Sequence, residues 1–173
     1  MSVLTANSRR DLEVHRYPVP LYLAAPIVSL VLQALLPRLL GRFSYFDLPL
    51  VVTVYFALGR RSPIQGMIMG GFLGLFEDAL THHAIGINGI AKTLAGYLAA
   101  SVGVRIDVQN ATIRLLLNFA LSLLCSAMVV FINRVLLGLE LHWNWVAMLL
   151  EAIGNSILAL VLFPLLDRFQ RRD

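Results

Sequence analysis

Charge is scarce in this chain. Charged residues make up 14% of 173 positions, against about 25% in an ordinary soluble domain. That shortage excludes a water-facing globule of this size. Cysteine is nearly missing too: the single Cys125 excludes a disulfide framework and, set in an apolar run, reads as a small apolar filler. Lysine is rarer than its charge partners: of 14 lysines and arginines, Lys92 is the one lysine. Catalytic signatures are absent as well. No HExxH pattern or Cys/His cluster offers a metal site, although His82 and His83 adjoin Glu77 and Asp78. No GxSxG elbow, Walker A loop or dinucleotide fingerprint occurs. These gaps argue against an enzyme and lead us to expect no cofactor.

What is present is apolar. Hydrophobic residues reach 58% and mean hydropathy is +0.77. We read an all-α, polytopic integral membrane bundle. A crossing helix needs roughly 20 mainly apolar residues, and six stretches qualify or nearly so: 17–37, 48–58, 63–76, 87–104, 115–133 and 145–166. The first contains Pro18, Pro20 and Pro26, so an irregular entry and a kink near Pro26 are expected. The second and third are short, and five crossings with a broken or re-entrant piece is the alternative. No cleavable leader is evident. Residues 1–16 read as a cytoplasmic N-terminal tail, 17–167 as one transmembrane domain, and 168–173 as a cytoplasmic C-terminal tail.

The arginines set an orientation. With the N-terminus inside, the inner segments hold Arg9, Arg10, Arg16, Arg60, Arg61, Arg105, Arg114, Arg168, Arg171 and Arg172, and the outer ones only Arg38, Arg42 and Arg134. That asymmetry places both termini in the cytoplasm. Trp143 and Trp145 fall at the outer start of the sixth span, where amphipathic rings favour the interface. The pI near 9.7 does not point to nucleic acid, because the arginines punctuate apolar spans and form no basic stripe.

Small and polar residues fall in stripes. Gly66, Gly70 and Gly74 recur every four residues and lead into Asp78, so they share one helical face. Such a face lets another backbone approach closely, within the bundle or across to a partner. Gly89, Gly96 and Gly103 form a similar line, with Lys92 on the same side as the first two. An amine at membrane depth costs several kcal/mol unless it is matched. Four carboxylates are candidates to match it, Asp78 and Glu151 first, then Glu77 and Asp47. Asn118, Ser122 and Ser126, with Asn133 a heptad on, make a polar line on the fifth span. Glu151 and Asn155 make another on the sixth. Interhelical glue is one reading of these lines. The other is a buried polar pocket built from Lys92, Asp78, Glu151, Asn155 and Asn118.

One block carries a family resemblance. Residues 63–98 run through Gly74-Leu75 and Asp78, a "GLxxD" ending, then Gly86, Lys92, Gly96 and Tyr97 of a "GxxAxxKxxxGY" opening, with Ala91 out of register. This resembles the rod shape-determining protein MreD family. The resemblance implies a bacterial inner-membrane protein of the cell-wall elongation machinery, without catalytic activity. It implies MreC, a single-pass protein, as partner, and through it MreB and the peptidoglycan synthase of RodA with its penicillin-binding protein. Membrane lipids surround the bundle, and a homodimer is compatible with it. The family is also similar in architecture to the S-components of energy-coupling-factor vitamin transporters. The competing expectation is therefore a substrate-binding subunit of a small-molecule transporter.

Overall fold

The computed structural model describes residues 18–40, 46–81, 84–106, 110–139 and 144–169. They form six helices: α1 (Val19–Leu40), α2 (Leu48–Arg60), α3 (Pro63–Thr81), α4 (Ile87–Arg105), α5 (Ala111–Leu136) and α6 (Trp145–Asp167). No strand occurs among the described residues. The two short apolar stretches are continuous helices and not broken ones. Pro26 lies inside α1, which the structure carries through as one helix. Glu77 and Asp78, just beyond the apolar stretch 63–76, sit in the last turns of α3. His82, His83, Trp143 and residues 1–16 lie outside the described residues.

Local chemistry explains where the helices start. Asp47 caps α2 by accepting from Leu50 N at 2.9 Å. Pro49 follows in the first turn, where a missing N–H costs nothing. The helix stops at Arg61, whose φ of 52° is left-handed and whose N–H returns to the Ala57 carbonyl. Asn110 caps α5 through Thr112 N, and Asn144 caps α6 through Ala147 N. Gly86 precedes α4 at a φ of 105° and offers no side chain as a cap.

The bundle is organised around α2. At 13 residues it is roughly 20 Å long, short of a hydrocarbon core of about 30 Å. It is buried along nearly its whole length, so protein and not lipid covers its ends. The other five helices all touch it. Around it α1 meets α3, α3 meets α4, α4 meets α5, and α5 meets α6, while no contact between α1 and α6 occurs among the described residues. The shell is a broken ring with α2 as its hub.

Two helices, α5 and α6, are long and apolar enough to cross a membrane. Only 33% and 28% of their most apolar stretches are buried, unlike the core helices of a soluble protein. Leu116, Phe131, Ile157, Leu160 and Val161 stand out from them, exposed. Such contiguous apolar surface marks contact with lipid or a partner.

One end of the bundle is tied by charge and aromatic rings. Arg114 grips Asp167 with two bonds, of 2.7 and 3.2 Å, joining α5 to α6. Tyr55 of α2 donates to Asp167 Oδ1 at 2.8 Å, and the Arg114 guanidinium lies over Phe163 at 4.7 Å. Arg60 lies over the Tyr22 ring of α1 at 4.6 Å. Lysine has neither the fork nor the flat face that this site uses. Arg114→Lys should therefore lower stability by about 1 kcal/mol, the modest size reflecting partial exposure of the pair. A detergent unfolding titration unchanged by the substitution would contradict this.

Candidate functional site

The α3–α4 hairpin brings the glycine stripes together. A methyl at Gly66 would strike the Gly96 carbonyl, one at Gly70 the Lys92 carbonyl, and one at Gly74 the Asn88 carbonyl. Gly96 in turn lies against Gly66, and Gly89 against the Leu75 side chain. Gly103 faces a different neighbour, the Leu58 carbonyl of α2. These glycines are therefore used within the chain: their missing side chains let the α3 and α4 backbones touch.

That close approach places Lys92. Its side chain is fully buried and reaches two carboxylates. Nζ bonds to Glu77 of α3 and lies 2.8 Å from Asp47 Oδ2 at the start of α2. One amine thus ties three helices. Asp47 serves twice, since its other oxygen caps α2. The N-terminus of α2 is held from α1 as well. Gln33 donates to the Phe46 carbonyl at 3.0 Å and accepts from Leu48 N at 3.1 Å.

The two carboxylates placed first by sequence are not the partners of Lys92. Asp78 is fully buried but lies at the end of the glycine stripe, facing the start of α4. There it accepts from Gly86 N at 2.8 Å, Asn88 N at 3.2 Å, Gly89 N at 3.4 Å and Asn88 Nδ2 at 2.8 Å. It supplies from α3 the cap that Gly86 cannot, where orphan N–H groups and the helix dipole favour an anion. Glu77, one residue earlier, is turned about 100° around the helix and meets Lys92. Glu151 is taken up by α5, with Ser126 Oγ 2.8 Å from its Oε2. Asp78→Ala should cost about 2 kcal/mol by stripping several charge-assisted bonds at once, and Asp78→Asn less, because one acceptor survives. Equal unfolding midpoints for the alanine variant and the parent would refute the capping role.

From Asp47 the polar contacts continue across the bundle. Its backbone N–H donates to Asn155 Oδ1 at 2.7 Å. Asn155 Nδ2 donates to Ser122 Oγ at 3.2 Å, and Asn118 Nδ2 to the Asn155 carbonyl at 3.0 Å. Asn118, Ser122 and Asn155 are wholly buried. Asn133 stays outside the network and bonds the Val129 carbonyl of its own helix. The network thus runs from α4 and α3 through α2 to α6 and α5. Of the expected pocket residues, Lys92, Asn155 and Asn118 are connected through it, Glu151 borders it through Ser126 beside Ser122, and Asp78 has separate partners.

Sequence reasoning named Asp47 and Glu77 only as second choices and missed Gln33 and the Arg114–Asp167–Tyr55 cluster. Gln33 carried a signal, being an amide within an otherwise apolar first span. Chemically, the site is a set of internal bonds. No group of three or more metal-type ligands occurs among the described residues.

Comparison with known proteins gives one result. No curated protein and no solved structure matches the chain, so nothing in the comparisons supports the transporter-subunit expectation. The sequence model of the rod shape-determining protein MreD matches residues 19–172, nearly the whole chain and all six helices, and the chain accordingly belongs to the MreD family.

Proposed function

We propose that this chain is a non-catalytic membrane scaffold of the wall-elongation machinery that maintains rod shape by binding MreC. The family gives the coarser statement, a role in rod shape determination. The finer one is supported by a single observation, the Lys92 triad. Two carboxylates consume the amine, and the Asn155 side chain is taken up by Asp47 N and Ser122 Oγ. Polar groups committed to each other in this way fix one arrangement of helices and are not held ready for a substrate. The apolar faces of α5 and α6 are then the parts free to engage another membrane segment. Between helices in lipid, that engagement rests on packing and a few polar contacts.

In this reading all six helices cross the bacterial inner membrane as one domain over residues 17–167, and both tails are cytoplasmic. MreB and the RodA–penicillin-binding-protein synthase are reached through MreC. The Arg60, Arg105, Arg114 and Arg168 end faces the cytoplasm and the Lys92 triad sits in the outer half of the bundle. The test is affinity purification of the full chain in mild detergent from cells that depend on it for shape. MreC should copurify and the cells should stay rod-shaped. Recovery of an ATPase module with a bound vitamin, and no MreC, would replace this reading with the transporter one.

A further inference from the structure

Most ionisable side chains inside the bundle are fully matched. Lys92, Asp47 and Glu77 close on each other, and Asp78 receives four bonds. Glu151 differs. Ser126 reaches its Oε2, but the same hydroxyl lies 3.0 Å from the Ser122 carbonyl and has one hydrogen for both acceptors. No donor among the described residues bonds Oε1, and the side chain is only half-buried. Glu151 lies six residues into α6, about 9 Å along the axis from Trp145. Beside it on the same side of α6, Leu150 is exposed and apolar, and Ala147 and Gly154 are partly exposed. A charged carboxylate at that depth with one oxygen unbonded is strongly disfavoured unless something brings it a donor.

We propose that the outer half of the α5–α6 seam seats a single membrane-spanning helix of another polypeptide, which presents a cationic or amide hydrogen-bond donor to Glu151. The inference rests on the scaffold reading above and names the seat and its chemistry. Charge complementarity selects the occupant. An acyl chain has no donor to offer. A second copy placed two-fold about this seam would set two Glu151 carboxylates against each other. A helix with one donor satisfies the carboxylate, and its apolar flanks cover Leu150 and the small Ala147 and Gly154 beside it. The groove of about 600 Å³ on the α3–α4 face, lined by Met67, Leu75, Ile90, Tyr97 and Met128 among others, offers no charged side chain and serves as the contrasting surface.

The test uses the full chain in membranes with its single-pass partner MreC coexpressed. A photoreactive residue replaces Ala147 or Leu150 on α6, and Ile90 on α4 or Ile27 on α1 as comparison. Crosslinks to MreC should be at least tenfold stronger from the two α6 positions. Glu151→Leu should reduce both crosslinking and copurification at least tenfold, while Glu151→Gln, which keeps an acceptor, retains half or more. Undiminished copurification with Glu151→Leu would overturn the proposal and leave the scaffold reading standing. So would equal crosslinking from Ile90 or Ile27, or products containing only lipid or a second copy. If Glu151→Leu fails to fold in detergent, the crosslink map and Glu151→Gln decide. Failure of the unsubstituted chain to bring down MreC overturns the scaffold reading, and the seat with it.

Discussion

Lys92→Ala should destabilise the bundle by about 3–5 kcal/mol, the usual cost of removing one member of a buried ion pair. The loss does not come from the amine's packing. It comes from two carboxylates, Asp47 and Glu77, left close together with no cation between them. Asp47 also caps α2 and donates its N–H to Asn155, so disturbance there spreads to α6. Rod shape and MreC recovery should fail together with stability. A triple replacement, Lys92→Met with Asp47→Asn and Glu77→Gln, removes the charges as a set and should regain most of the lost stability, because a neutral core of similar volume is often as stable as the ion pair it replaces. The measurement is an unfolding titration in mixed detergent micelles. A single variant within about 1 kcal/mol of the parent, or a triple variant worse than the single, would show that the amine is not held as described.

Gly70→Ala should be nearly as damaging, although it adds one methyl group. Helix propensity alone predicts the opposite sign, since alanine in a helix interior is favoured over glycine by about 1 kcal/mol. Packing decides against it. The added carbon would collide with the Lys92 carbonyl, a backbone atom that cannot turn aside. α3 and α4 would have to separate where Glu77 and Lys92 meet, so the hairpin and the triad loosen together. Gly71→Ala is the matched control, because its methyl would meet only the Thr93 hydroxyl, at 2.9 Å, on a side chain that can shift. Folded yield should fall sharply for Gly70→Ala and little for Gly71→Ala. Similar yields for the two would remove the close backbone approach from the account.

Much of this architecture is legible in the sequence, and the parts that are not share a cause. Hydropathy marks all six helices, and the four-residue glycine spacing marks the face along which α3 and α4 meet. The burial of Lys92 follows from its place between Gly89 and Gly96. Its partners do not follow, because neighbours on a helix point in different directions. Glu77 and Asp78 are adjacent in sequence, yet one meets the amine and the other caps α4. Which does which depends on where α4 begins relative to α3, a long-range fact. Asp47 comes last among the candidates for a similar reason: it lies at the head of a short apolar stretch, and its meeting with Lys92 requires α2 to be the hub. Arg114 and Asp167 lie 53 positions apart, and only the meeting of α5 with α6 brings them together.

The central claim is that the amine of Lys92 is shut inside protein between two carboxylates, and the chain offers a direct test because it has no other lysine. The purified protein in mild detergent is treated with an amine-acylating reagent, and the tryptic or chymotryptic peptide carrying position 92 is weighed by mass spectrometry. Lys92 should remain unmodified in the folded protein, become fully acylated after unfolding in SDS, and react measurably faster when Glu77→Gln loosens its grip. Rapid acylation of Lys92 in the folded chain would contradict the account.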